Sequence, residues 1–382
     1  MSFVPPPYPY DRLDTVAVLA ASVPGGAVDL SVGTPCDPPP PAVLAALAGS
    51  GTERGYPPSV GSPELRRAVA SYLERRFEVS ADPASVALCV GTKEFVATAA
   101  WWLRLRRPGC DTVLGPALAY PTYAMSATLA GCRYVEVPAG PDGGPDLSAV
   151  SDDDARRAVA MWVNSPANPS GAVHDLEPAA RWGRRHNVPV LSDECYAEFT
   201  WSGRPASILE GGAEGVLAVH SLSKRSNFAG GRVGFYAGDR ELVSYLSEVR
   251  KHAGLMVPGP VQAAATVAWS DQAHVEQQRA RYLRRLELLV EALRGAGMDA
   301  SMPAGAFYLW VPVPSWAQDA GEAEGRPGAW VLAEALARRA GMVVSPGEFY
   351  GATGAGFVRL AVVAPDERLA LAAQRLAMSA DR

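Results

Sequence analysis

The residues best able to do chemistry in this sequence sit in short runs that follow apolar stretches. Ser221-Leu222-Ser223-Lys224 ends the run Val216-Leu217-Ala218-Val219, and Arg232 follows eight residues after the lysine. A lysine amine in that setting can form a Schiff base with an aldehyde cofactor, while two hydroxyls and an arginine hold a phosphate that anchors it. Alone, this serine–lysine run is ordinary loop composition. The chain carries only three lysines, Lys93, Lys224 and Lys251, so amine chemistry has few places to occur.

Other runs supply complementary groups. Ser192-Asp193-Glu194-Cys195-Tyr196 puts an acid after an apolar stretch. A carboxylate at a pyridine nitrogen keeps that nitrogen protonated and lets the ring accept a carbanion's electrons. Tyr196, three residues on, is close enough to share the ring's phenolic edge. The run from Asn164 to Gly171 is dense in turn residues, and Asn168 can also donate to a phenolate oxygen. Gly91-Thr92-Lys93 lies where a strand gives way to a helix, a place where backbone N–H groups hold phosphate and glycine permits close approach. Lys93 there is a cation at the positive end of the helix dipole, unfavourable unless an anion binds. Tyr120 either stacks on a cofactor ring or fills the core. Arg359 lies in the apolar run Phe357-Val358-Arg359-Leu360-Ala361-Val362. A buried guanidinium needs an anion: a substrate carboxylate suits its two-pronged geometry, and an internal salt bridge is the structural alternative.

The elements that must position these groups alternate along the chain. Apolar runs at 86–90, 111–114, 134–137, 158–163, 188–192, 215–220 and 233–237 read as strands, and 93–105, 176–186 and 239–250 as helices, with another starting near Pro121. That alternation predicts an α/β fold with a largely parallel, doubly wound sheet. Residues 261–294 read as one long helical stretch with Leu283, Leu286, Leu289 and Val290 on one face. Strands at 307–311 and 357–363 and helices at 330–340 and 366–378 suggest a smaller α+β domain. The first 40 residues, ending in Pro38 to Pro41, read as an extended arm, and residues 318–328 as a mobile loop.

Composition narrows the function classes. The 382 residues are 48% hydrophobic and 20% charged with a formal net charge of −5, an ordinary globular balance that argues against general nucleic-acid binding. No apolar run approaches the ~18–20 residues of a membrane span, and the N-terminus lacks the pattern of a secretory signal, so a cytoplasmic protein is expected. Five cysteines at irregular spacing form no C-x-x-C pair, and the five histidines form no metal motif, so no metal site is expected.

Asn168-Pro169-Ser170-Gly171, Ser192-Asp193-Glu194, Ser221-x-Ser223-Lys224 and Arg232, in this order and spacing, resemble the class I/II aminotransferases, pyridoxal-phosphate enzymes of fold type I. The resemblance runs from Asp29-Leu30-Ser31-Val32-Gly33 to Arg359. The stretches at 29–35, 90–95 and 221–227 look most like bacterial N-succinyldiaminopimelate aminotransferases. It implies pyridoxal 5′-phosphate bound through Lys224, with Asp193 at the pyridinium nitrogen, Asn168 and Tyr196 at the phenolic oxygen, and Tyr120 on the ring. Gly91, Thr92 and Lys93 (through the backbone), Ser221, Ser223 and Arg232 would hold the phosphate, and Arg359, Gly33 and Asn168 the substrate carboxylate. Tyr56 matches a tyrosine that reaches a neighbouring subunit's phosphate, implying a homodimer. The implied layout is an arm at 1–41 joined to a small domain at 275–382, around a large domain at 42–274. Where the arm of such proteins often reads Pro-Trp-Asp, this chain has Pro9-Tyr10-Asp11. The implied reaction is ping-pong amino transfer between glutamate/2-oxoglutarate and N-succinyl-2-amino-6-oxopimelate. The same constellation also serves aspartate, alanine and aromatic aminotransferases and carbon–sulfur β-lyases. A non-catalytic ligand sensor on the same fold is the alternative of a different class.

Overall fold

The computed structural model describes residues 3–380. In chain order its strands are β1 (Val28–Asp29), β2 (Val86–Cys89), β3 (Thr112–Pro116), β4 (Arg133–Val137), β5 (Ala158–Asn164), β6 (Val190–Asp193), β7 (Val216–Ser221), β8 (Gly234–Gly238), β9 (Tyr308–Pro312), β10 (Met342–Val343), β11 (Ser345–Pro346) and β12 (Phe357–Ala361). Seven of them form one sheet in the order β2-β8-β7-β6-β5-β3-β4. The β7-β6-β5-β3-β4 segment is parallel throughout, and β8 runs antiparallel to both its neighbours. This is the α/β fold of mostly parallel strands that the alternating pattern predicts.

Both faces of the sheet are covered, so its central strands are continuous apolar runs rather than alternating ones. All seven residues of β5 are buried. Ala158, Met161 and Val163 join the core under the helices Pro63–Phe77 and Glu177–His186, while Val159, Ala160 and Trp162 join the core under Thr92–Arg106 and Thr122–Leu129. A second, antiparallel sheet, β11-β12-β9, and the parallel pair β1-β10 pack with the helices Asp14–Ala21, Ala273–Gly295, Gly328–Ala340 and Asp366–Ala380 around a separate core.

Four expectations from the sequence are corrected. The first 40 residues are not simply an extended arm: Pro9–Leu13 is a 3₁₀ turn leading into Asp14–Ala21, and Val28–Asp29 pairs with Met342–Val343. The proline sits at the helix start, where its missing N–H costs nothing, and Leu13, Val16 and Ala20 are buried. Residues 318–328 are not a loop. Ser315–Glu324 is a helix ended by Gly325 in the left-handed conformation (φ 66°). Its small residues are a packing device: a Cβ on Gly321 would lie 2.7 Å from the Gly328 backbone nitrogen. The stretch 261–294 breaks at Asp271 into two helices, Gly259–Ser270 and Ala273–Gly295. Asp271 is extended, its carbonyl accepting from Arg225 at 3.1 Å and its carboxylate capping Ala273 N at 2.8 Å. Leu283 lies outside the apolar stripe and is 36% exposed, because Tyr282, Leu286, Leu289 and Leu293 form the buried one.

The start of the helix Thr92–Arg106 is clamped by an ion pair. Arg250 Nη1 and Nη2 donate to the two Glu94 carboxylate oxygens, each at 2.7 Å, and Glu94 also accepts from Val90 N at 3.1 Å. Arg250→Ala removes the charge partner of this partly exposed carboxylate, which keeps its bonds from Val90 N and Thr98 Oγ1, and should lower unfolding stability by about 1–3 kcal/mol in denaturant titration. Removing Arg157 from its exposed pair with Asp111 should leave the denaturation midpoint nearly unchanged, because solvent screens that pair.

Candidate active site

Parallel strands bring their carboxyl ends to one edge of the sheet, and ligands in open α/β folds collect there. Register does the positioning: Asn164 pairs with Asp193 and Asp193 with Val219, while Ser221 and Cys89 both lie opposite Gly234. The segments leaving β2, β3, β5, β6 and β7 therefore converge on a single cavity. Its lining includes Gly33, Thr92, Lys93, Tyr120, Asn168, Asp193, Tyr196, Ser221, Ser223, Lys224, Arg232 and Arg359. Gly91 lies against it, and Tyr56, 96% exposed, lines a different surface groove.

One end of the cavity suits an anion. Gly91 caps the helix Thr92–Arg106 with φ 76°, a conformation that favours glycine, and the first N–H groups of a helix have no intrahelical acceptor. A Cβ at Gly91 would fall 2.3 Å from Arg232 Nη2, so the glycine gives the arginine room to lie close to this helix start. Ser221 caps the short helix Leu222–Arg225, its Oγ accepting from Ser223 N at 3.0 Å. The Lys93 side chain departs from the phosphate role: its ammonium bonds Tyr8 Oη at 3.3 Å and lies 4.8 Å above that ring.

Deeper in the cavity, Asp193 is buried and held from both sides. Tyr123 Oη donates to its Oδ2 at 2.9 Å and Cys195 N to its Oδ1 at 3.1 Å. Burial pushes its carboxyl above the usual range, and these two hydrogen bonds work against that shift. Asn164 ties the neighbouring strand ends together, donating to the Asp193 carbonyl at 2.7 Å and accepting from Asn168 N at 2.8 Å.

At the opposite side Arg359 is buried and, among the described residues, has no acidic partner. Its Nη1 donates to Asn168 Oδ1 at 2.8 Å, its Nη2 to the Ser31 carbonyl, and its Nε has no partner. The guanidinium lies 4.2 Å over the Tyr308 ring and 4.8 Å over Tyr350. Burial alone would weaken its charge; the surrounding tyrosines, Tyr10 foremost, more than offset it. Between the two ends the Lys224 amine donates to the Gly33 carbonyl. Desolvation by the surrounding protein brings its pKa down to about 8, with Arg359 and Arg232 acting in the same direction.

Tyr123, Asn164, Tyr308, Tyr8 and Tyr10 also line the cavity, though the sequence reading gave none of them a role. Tyr123 follows Tyr120 by one helical turn, which is the signal that could have found it. Tyr308 is hidden in an apolar strand and reads as core.

The chain belongs to the class I and II aminotransferases, whose family pattern matches residues 26–376. It is 42% identical over 97% of its length to the Streptomyces rimosus 4-dedimethylamino-4-oxo-anhydrotetracycline transaminase OxyQ, covering 99% of that protein. It is 36% identical to an LL-diaminopimelate aminotransferase of Dehalococcoides mccartyi, over 92% of this chain and 90% of that one. The solved structure of a probable N-succinyldiaminopimelate aminotransferase from Thermus thermophilus superposes with a TM-score of 0.82 at 31% identity, covering 97% of this chain and 99% of that one.

Enzymes of this family use pyridoxal 5′-phosphate. The donor set fits that group: a glycine-capped helix start with Arg232 for a phosphate, a buried carboxylate for a ring nitrogen, and an amine of lowered pKa between them. A neutral amine is the nucleophile, so its fraction rises with pH and levels off above its pKa. Borohydride trapping of pyridoxal phosphate on the cofactor-free protein should therefore label Lys224, at a rate that rises to about pH 8 and then flattens. Label on Lys93 or Lys251, or a rise continuing to pH 10, would contradict the site as described.

Proposed function

We propose that this aminotransferase exchanges amino groups between glutamate/2-oxoglutarate and an oxo acid of the diaminopimelate type, N-succinyl-2-amino-6-oxopimelate first among them. When bound, pyridoxal 5′-phosphate supplies an aldehyde carbon that accepts the amino group and a ring that takes up electrons from the substrate Cα. In this reading Lys224 is the covalent anchor, and its amine, near neutrality, carries the proton to and from the substrate Cα. Asp193 would face the ring nitrogen. Asn168 and Tyr196 would approach the phenolic oxygen, and Tyr120 would cover the ring. Ser221, Ser223, Arg232 and the Gly91–Lys93 backbone would hold the phosphate.

The observation that carries the reading is Arg359. A buried guanidinium with an unpartnered Nε, near Gly33 and Asn168 and sharing a cavity with Lys224, suits an α-carboxylate. At the same cavity Lys93 and Tyr8 form a cationic, aromatic wall that suits a second, distal carboxylate. That arrangement, together with the diaminopimelate aminotransferase relative, supports a dicarboxylic substrate. The higher identity to OxyQ favours a second reading, amino transfer to a bulkier ring ketone. A panel with glutamate as donor separates them. Preference for the N-succinyl oxo acid supports the first, and preference for a polycyclic ketone supports the second. Activity only with oxaloacetate, pyruvate or phenylpyruvate removes both.

Arg359→Lys should lower kcat/KM for donor and acceptor alike, by tens- to thousands-fold, since truncating a buried charged contact costs about 2–5 kcal/mol and both half-reactions share the site. Cofactor absorbance should survive. A lowered melting temperature with unchanged rate constants would make the residue structural.

The proposal extends to a cytoplasmic homodimer. All five cysteines are unpaired, which suits a reducing compartment, and Tyr56 is almost wholly exposed beside a groove formed with Pro57, Pro58 and the helix Gly259–Ser270. In the dimer Tyr56 would complete the partner's phosphate pocket. Sedimentation should give a dimer, and Tyr56→Phe should weaken cofactor affinity. An active monomer, or unchanged affinity, would refute this.

A further inference from the structure

We propose that Tyr308 is a positioning residue that couples the carboxylate anchor Arg359 to the hydroxyl of Tyr196. The proposal rests on the site reading above and goes beyond it, since Tyr308 has no role there.

Three contacts place one side chain between groups from separate parts of the fold. Tyr308 lies on β9 and Arg359 on β12, where Ala361 is the direct partner of Tyr308; Arg359 is therefore its diagonal neighbour on the same face. The guanidinium carbon sits 4.2 Å from the ring centroid, a cation–π contact in a fully buried setting. The Tyr308 and Tyr196 hydroxyl oxygens are 2.6 Å apart, a short buried bond between the second sheet and the segment that follows β6 of the large sheet. Finally, a Cβ on Gly33 would lie 2.2 Å from the Tyr308 hydroxyl, and the Gly33 carbonyl accepts from Lys224.

Each phenol has one proton, so only one of the two hydroxyls can donate in their shared bond. Burial pushes the Tyr308 hydroxyl up to about 12, while Arg359 over its ring acts the other way, favouring release of the proton and making it the better donor. Tyr196 then keeps its own proton for an acceptor in the cavity. A carboxylate that neutralises Arg359 removes the bias, and the shared bond rebalances. Occupancy of the carboxylate site is thereby felt at Tyr196 without movement of either sheet. The other titratable groups facing this pair are Tyr10 from the N-terminal arm, Tyr120 after β3, Cys195 after β6 and Tyr350 before β12. None of them touches both hydroxyls.

The test is a pH titration of the visible absorbance of the holoenzyme, with and without glutarate, which carries the carboxylates of the substrate class but no amino or oxo group. Wild type should titrate, and glutarate should move its midpoint. Tyr308→Phe keeps the ring and its contact with Arg359 while deleting the hydroxyl. It should raise the ligand-free midpoint by about one pH unit, a tenfold change in proton affinity, and reduce the glutarate shift to less than half. Tyr196→Phe reads the same bond from its other end. It should likewise abolish most of the glutarate shift, and adding Tyr308→Phe to it should change nothing further. If Tyr308→Phe does not hold cofactor, loss of the shift in Tyr196→Phe supports the coupling and its retention overturns it. A Tyr308→Phe midpoint that is unchanged or lower, or an undiminished glutarate shift, overturns it as well. A wild-type protein with no visible band would instead refute the cofactor site itself.

Discussion

The site is organised by an excess of positive charge that the protein does not itself neutralise. Lys93, Lys224, Arg232 and Arg359 all line one cavity, and among the described residues Asp193 is the only carboxylate lining it. The consequence is visible in the buried amine: desolvation first, with Arg359 and Arg232 acting in the same direction, brings Lys224 down to about 8. The hydrogen bonds available to the cations are to neutral groups, carbonyls, an amide and tyrosine hydroxyls, Lys93 using Tyr8. Lys224 uses the Gly33 carbonyl, Arg359 the Ser31 carbonyl and Asn168, and Arg232 the Ala229 carbonyl. Such contacts orient a cation without cancelling its charge. The cavity thus favours an occupant that carries negative charge, as a phosphorylated cofactor does.

Holding that strain requires a scaffold stiffer than the site, and the two sheets divide the task. The large sheet delivers the groups that would contact the cofactor from the ends of adjacent strands, where register fixes their spacing. Asn164 then ties β5 to β6 through its bond to the Asp193 carbonyl, and two further bonds from the same side chain fix the turn at Pro166 and Asn168. The small sheet delivers Arg359 and Tyr308, and the guanidinium lies over the rings of Tyr308 and Tyr350. The N-terminal segment closes the arrangement. Tyr10 bonds the Tyr350 hydroxyl at 2.9 Å and approaches Arg359, and Tyr8 lies against Lys93. Aromatic side chains suit this role because they cover cations, exclude water and still present a hydroxyl at one tip.

What the sequence makes legible follows from this division. Groups at strand ends announce themselves, because a polar or glycine-containing run after an apolar stretch has few structural reasons to exist. Lys224, Asp193, Asn168 and the Gly91 turn are all of this kind, and all four lie in or against the cavity. Arg359 was equally visible, since a lone charge in an apolar strand demands an explanation. The tyrosines were not. Tyr308 and Tyr350 are buried aromatics, and nothing in their local pattern separates a core ring from one whose hydroxyl matters; for Tyr123 the one signal is its spacing from Tyr120. The helix Ser315–Glu324 was missed for a related reason: the glycine and alanines that suggest a loop are what allow it to pack closely on Gly328–Ala340.

The same blindness bears on how the two halves communicate. Residue type and spacing identify what each sheet contributes, because those contributions are local in sequence. The bond between Tyr196 and Tyr308 joins residues 112 positions apart and depends on the relative placement of two sheets that have no strand in common. It cannot be inferred from either neighbourhood, yet among the described hydroxyl pairs lining the cavity it is the closest, at 2.6 Å, and it lies directly between the carboxylate anchor and the Asp193 segment. Catalysis in which one half of the protein holds the reacting ring and the other holds the substrate's charge needs a stiff link where the halves meet. A hydrogen bond between two fully buried phenols, backed by a guanidinium on one side and a glycine on the other, meets that need because neither hydroxyl can leave without stranding the other.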